Sequence, residues 1–201
     1  MAVRETDKWI DFMLTSGVSP VTGRVIGFPF PILGVGENNR TGHRFIVRRL
    51  QVDVEFWYDE AATGDAFRVL RVILFRDNQH RGTYFGAGFM THVKDGVLDP
   101  WDLTVNPQNW VYSLPKLCNE CRHDILLDEM ISLLPMTGTS AGHRYTRLAW
   151  SCNVWDNTTI HHTGDQIDFY NGPWYGLAIT SDVSLLGIKM QGKMRLRFDD
   201  L

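Results

Sequence analysis

The chain has 201 residues, 44% hydrophobic and 12% aromatic, with 20 Lys+Arg against 23 Asp+Glu and a formal net charge of −3. That composition excludes a disordered chain and a globally basic nucleic-acid binder, and the length suits a single all-β domain. No stretch approaches the roughly 18 apolar residues of a spanning helix, residues 1–17 lack a signal core, and three cysteines are too few for a disulfide scaffold. A soluble intracellular protein with reduced thiols is therefore expected, and the acceptor patterns at Asn39-Arg40-Thr41 and Asn157-Thr158-Thr159 have no secretory route to serve.

Residues 5–14 place Trp9, Ile10, Met13 and Leu14 at helical spacing, which predicts one short helix. Residues 17–42 are rich in Gly, Pro and Asn, and Phe28-Pro29-Phe30-Pro31 admits neither helix nor central strand. Residues 1–42 thus read as an N-terminal arm, with the domain proper over 43–201. From Phe45 the pattern changes: Leu50, Val52, Val54 and Phe56 alternate with Gln51, Asp53, Glu55 and Trp57, the period of a strand with one buried face. Residues 67–75 are apolar on both faces near Val69, Leu70, Val72, Ile73 and Leu74, as in a strand covered on both sides. Residues 77–113 read as a long, aromatic, glycine-punctuated loop with a short strand near 110–113. Further strands are expected over 123–134, 144–154, 166–170, 174–180 and 187–198. Eight short strands without a long helix indicate an all-β fold, an antiparallel sandwich or jelly roll. Leu50, Val52, Val54, Phe56, Ile73, Leu126, Met194 and Leu196 are expected to share one core between two sheets.

The last strand sets Ile188, Met190, Met194, Leu196 and Phe198 on one face, interrupted by Gly192, and Lys189, Lys193, Arg195 and Arg197 on the other. Clustered cations neutralise phosphates without base-reading geometry, so this stripe can contact nucleic acid. It can equally be a solvated face, or pair across strands with Asp53 and Glu55. Arg40, Arg44, Arg48 and Arg49, with Phe45 interleaved, form a second basic cluster, suited to nucleic-acid contact or to ion pairs between subunits. Cys118, Cys121 and His123 are zinc-ligand types, yet only Cys152 or a distant histidine could complete four ligands; ordinary thiols and no cofactor are expected. Residues 157–162, with His161-His162, read as a surface loop. No nucleophile elbow, phosphate loop or HExxH helix is present, so no enzyme is expected. Tyr84, Phe85, Phe89, Trp101 and Trp110 in the long loop call for a covering partner.

The run Gly42-His43-Arg44-Phe45-Ile46-Val47-Arg48-Arg49-Leu50-Gln51-Val52, leading to Trp57-Tyr58-Asp59-Glu60, resembles the first jelly-roll strand of geminivirus coat proteins. There a Gly-x-Arg-Phe-x-Val run also leads to Trp-x-Asp-Glu. Arg71-Val72-Ile73-Leu74-Phe75-Arg76-Asp77 followed by Gly82 is similar to that family's second strand, and residues 122–128 and 185–199 resemble later strands of small single-stranded DNA virus capsids. The resemblance implies an eight-stranded jelly roll of two four-stranded sheets, one made of the first, eighth, third and sixth strands. It implies self-assembly into an icosahedral shell of about 60 copies around a small circular single-stranded DNA, bound without sequence specificity. The place implied is the virion, assembled inside the host cell with the nucleus as candidate compartment; no membrane is involved and no receptor-binding residue is marked.

Those coat proteins begin with an Arg/Lys-rich arm, whereas residues 1–17 hold only Arg4 and Lys8 against Glu5, Asp7 and Asp11. Sixty copies at −3 would carry about −180, so cations must be segregated inward, with Lys189, Lys193, Arg195, Arg197, Arg44, Arg48 and Arg49 as candidates. The segment through Pro31 is expected to lie on neighbouring subunits, so that its deletion leaves a folded barrel. The alternative is a lectin-like jelly roll whose Trp and Tyr stack on sugars. A cupin-like enzyme would need clustered ligands, and His143, His161 and His162 are too isolated for that.

Overall fold

A computed structural model describes residues 7–18, 24–28, 30–40, 42, 44–58, 68–78, 98–99, 111–115, 123–133, 145–163, 166–169, 174–180 and 188–200. These residues form eleven strands: β1 (Lys8–Val18), β2 (Arg24–Gly27), β3 (Arg44–Tyr58), β4 (Arg68–Asp77), β5 (Leu98–Asp99), β6 (Leu114–Pro115), β7 (His123–Leu133), β8 (Thr146–Thr163), β9 (Gln166–Phe169), β10 (Trp174–Thr180) and β11 (Ile188–Asp200). The fold is all-β, as expected. A five-stranded sheet runs β1-β11-β3-β8-β9 and a four-stranded sheet β2-β10-β4-β7, while β5 and β6 pair with each other. All ladders in both sheets are antiparallel.

The helix expected over residues 5–14 is instead the strand β1. Trp9, Ile10, Met13 and Leu14 have helical spacing, but Ile10, Phe12, Leu14 and Val18 also alternate, and the strand reading satisfies a long partner. Every residue from Lys8 to Val18 pairs with β11, from Phe198 to Ile188. A ten-residue helix standing alone is marginal, whereas this pairing buries Leu14 and Val18. β2 likewise lies inside the expected arm and pairs with β10. The segment that resembles a first coat-protein strand, β3, is therefore the third strand of the chain, and one sheet has five strands where four are implied. The short strand expected near 110–113 falls at Leu114–Pro115. The expected loop at 157–162 is the distal half of β8, where Ile160, His161, His162 and Thr163 pair with β9; its β-branched Thr158, Thr159 and Ile160 suit a strand.

Between the sheets, Leu50, Val52, Val54 and Phe56 of β3 meet Met190, Met194, Leu196 and Phe198 of β11 and Leu70, Val72 and Leu74 of β4. Leu126 packs against this core partly buried. Ile73 is fully buried but belongs to a second cluster with Val69, Phe75, Leu177 and Ile179 on the opposite face of β4 and β10. Two-sided burial was legible in β4; which face each residue takes follows from its strict alternation with Leu70, Val72 and Leu74.

The second cluster closes under Val111, held by the buried Arg71. The Arg71 guanidinium donates through Nε and Nη2 to Asp128 at 2.6 and 2.5 Å, and through Nη1 to the carbonyls of Val111 and Ser113. The outer face of β4 and β10 is thus largely apolar and buried, while Asp128, Met130 and Ser132 of β7 on the same side stay exposed.

Gly192 lies opposite Val54, where β11 leaves no room for a side chain against the β3 backbone. A Cβ there would come within 2.2 Å of the Asp53 carbonyl oxygen and 2.6 Å of Val54 Cα. Both obstacles are backbone, so neither can rotate away. Gly192→Ala should lower stability by about 1–3 kcal/mol, read as a reduced denaturant midpoint at unchanged slope.

Candidate nucleic-acid interface

The register sets out the exposed face of the five-stranded sheet row by row. Arg197 of β11 lies between Trp9 and Arg49; Arg195 between Asp11 and Gln51; Lys193 between Met13 and Asp53; Gln191 between Thr15 and Glu55; Lys189 between Gly17 and Trp57. On the far side of β3, Asn153, Ser151, Ala149 and Arg147 of β8 continue the first four rows. Alternation puts these side chains on one face because their neighbours Met190, Met194 and Leu196 fill the core. Lys189, Lys193, Arg195, Arg197, Arg49 and Arg147 therefore stand on this face against Asp11, Asp53, Glu55 and, at its margin, Asp7. The chain is acidic in total, yet this surface carries more cations than carboxylates.

Most of the charges are paired. Arg195 Nε and Nη2 donate to the two oxygens of Asp11 at 2.5 and 2.7 Å, and Arg147 grips Asp53 in the same two-pronged way at 2.7 Å each. Arg197 Nη1 reaches Asp7 at 3.3 Å, which offsets the like charge of Arg49 directly opposite. Asp7 adopts φ 66°, tolerable for aspartate, and its N–H donates to Asp199 at 3.0 Å. Arg49 donates to Ser151 Oγ at 2.9 Å. Lys193 is exposed, beside both Asp11 and Asp53. The floor is low where Ala149 and Ser151 carry small side chains, leaving an open trough of about 340 Å³ bounded by Gln51, Asp53, Lys193 and Arg195.

Cross-strand pairing, one of the alternatives open from sequence, is thus present: Lys193 stands opposite Asp53 as expected, while the two-pronged hydrogen-bonded pairs have other partners. Asp53 pairs with Arg147 of β8, a residue missed at that stage although its alternation with the buried Leu148 points it outward. Arg195 pairs with Asp11, which a helical reading of residues 5–14 could not bring to β11.

The second basic cluster is divided by a bulge. Both ladders of β3 skip Arg48, between Val47 and Arg49, and the extra residue turns its guanidinium to the buried Asp199. Arg44 is exposed beyond the bulge and Arg49 joins the β11 cations. Arg40 is fully buried, donating to the carbonyls of Pro31 and Gly42; burial lowers its pKa, and the charge of Asp200 opposes that shift. It braces the 31–42 loop and takes no part in the exposed face.

Cys118 and Cys121, and the loop aromatics Tyr84, Phe85, Phe89, Trp101 and Trp110, lie outside the described residues. His123 packs edge-on against Phe75, with ring centroids 5.5 Å apart. Among the described residues no group of three His, Cys, Asp or Glu could hold a metal ion, and no helix is long and apolar enough to cross a membrane.

The Arg195 hydrogen bonds hold the Asp11 carboxyl below its ordinary value of 3.8, and those of Arg147 do the same for Asp53. A carboxyl depressed by folding contributes stability that is complete above the unfolded value and is lost as pH falls through the folded one. Both carboxylates are more than one-third exposed, so screening keeps the contribution small. An Asp11→Asn/Asp53→Asn double variant should therefore lose less stability than the parent between about pH 5 and pH 2.5, as read by denaturant midpoints at each pH.

Neither the comparison with protein-family models nor the search of curated proteins returned a match for this chain.

Proposed function

We propose that this protein is a jelly-roll capsid subunit that assembles with copies of itself and turns the open face of its five-stranded sheet toward an enclosed single-stranded nucleic acid. Strand order carries the reading. β9 pairs only with the end of β8 that projects past Arg44 of β3, and β5 and β6 are two-residue strands, which leaves eight strands in the two main sheets. In chain order these are 1-8-3-6 in one sheet and 2-7-4-5 in the other; the first order is the one implied for a jelly-roll coat protein, with β1 and not β3 in first place.

The two outer faces divide the work. That of the four-stranded sheet is buried and apolar over β4 and β10, with Asp128 of β7 at its exposed margin, while that of the five-stranded sheet is open and rich in cations. Among the described residues the clustered cations that a polyanion could meet stand on the second, and backbone contacts of this kind hold any sequence equally. Assembly is the first test. Size-exclusion chromatography and electron microscopy of the purified full chain should show closed particles of megadalton mass. A monomer or small oligomer at every salt and protein concentration tried would remove the shell reading and favour a lectin-like module, for which glycan binding would then be measured.

A further inference from the structure

The exposed face of the five-stranded sheet combines three features that together specify more than general basicity. Two of its guanidinium groups are already held, each by both oxygens of one carboxylate. That fork-to-fork geometry is the one by which arginine takes two oxygens of a phosphate. Lys193 stands exposed between the two occupied forks. Aromatic rings flank the cations at opposite corners: Trp9, 38% exposed, with Arg195 at 5.7 Å from its ring centroid, and Tyr145, 56% exposed, edge-on to Trp57 at 5.9 Å.

We propose that single-stranded nucleic acid crosses this face between Trp9 and Tyr145, and that Asp11 and Asp53 are built-in competitors that occupy Arg195 and Arg147 in the place of phosphate. Trp9 lies opposite Arg197 and Trp57 opposite Lys189, eight residues apart along β11, so the corners are separated by roughly 27 Å along the strands. A flexible single strand can follow that diagonal, lay its phosphates over the Lys193 trough and stack unpaired bases on the terminal rings. A duplex keeps its bases inside and gains nothing from the rings. Binding then exchanges carboxylate for phosphate at each fork, so short polyanions meet two arginines already taken, while one long enough engages Lys193 and both arginines together. The proposal rests on the nucleic-acid half of the reading above, and not on shell formation.

The test uses the full chain and a fluorescent oligo-dT of about 20 nucleotides, with anisotropy followed across a salt series. Each cation released to a single strand adds roughly 0.7 to the slope of log affinity against log salt. Asp11→Asn/Asp53→Asn should therefore steepen that slope by up to about 1.4 and tighten binding up to about 25-fold at about 0.1 M salt. Asp11→Glu/Asp53→Glu should return binding toward the parent. Trp9→Ala/Tyr145→Ala should weaken oligo-dT while leaving duplex DNA and heparin, a polyanion without bases, unchanged, with far-UV circular dichroism as the check that this variant is folded. An unchanged slope and affinity in the Asn variant would overturn the competitor role, and equal losses on single strand and duplex in the Ala variant would overturn the path between the rings. If the parent chain binds neither DNA nor heparin even at about 0.05 M salt, the nucleic-acid reading itself fails, whatever particles form.

Discussion

Deleting residues 1–31 should abolish folding of the chain, not merely its assembly. Composition suggests an arm lying on neighbouring subunits, whereas β1 pairs along β11 and β2 along β10 within the chain itself. Leu14, Val18 and Phe28 are each at least 95% buried, and together they contribute about 5–9 kcal/mol of burial. That is comparable with the whole net stability of an ordinary domain. The deletion also removes Lys8, whose Nζ bonds Asp200 at 3.0 Å and the Asn39 carbonyl at 2.8 Å, leaving a buried carboxylate without that cation. Two sheet edges would be bared as well, a direct route to aggregation. Far-UV circular dichroism and the soluble fraction after expression are the measurements. A soluble, cooperatively melting β-protein from this deletion would contradict the assignment of β1 and β2 to the sheets.

On the proposed function, replacing Lys193, Arg195 and Arg197 together by Gln should leave particles empty without unfolding the subunit. The three side chains are on the exposed face and none fills the core, so the stability change should stay within the small range of surface pairs. For binding, three lost cations at roughly 0.7 each reduce the salt slope by at most about 2, the full value applying where Arg195 and Arg197 have exchanged Asp11 and Asp7 for phosphate, which corresponds to up to about 100-fold weaker single-strand affinity at about 0.1 M salt. The check is the 260/280 nm absorbance ratio of purified particles, with anisotropy of the unassembled chain alongside. Particles with undiminished nucleic acid would shift the packaging role to Arg44 and Arg49 or to a separate partner.

Period-2 alternation, needing no tertiary information, located β3 and β11 and identified Leu50, Val52, Val54, Phe56, Met194 and Leu196 as core, while β4 was legible as a run apolar on both faces. The same alternation put Lys193, Arg195 and Arg197 on the outward face of the last strand. A side chain's face depends only on its own strand, so local sequence suffices. Local sequence could not choose for residues 8–18, whose apolar residues satisfy helical and strand spacing alike. The choice falls to β11, whose edge accepts eleven consecutive partners, an energy that exists only once the C-terminal strand is in place. Nor could it assign partners to the charges. Asp11 and Arg195 are 184 residues apart and Asp53 and Arg147 are 94 apart, and each pair meets only because strand order and register bring them together. The alternation of single strands thus determined which residues face outward, and the long-range pairing of β1, β3, β8 and β11 decided which of those charges are already taken.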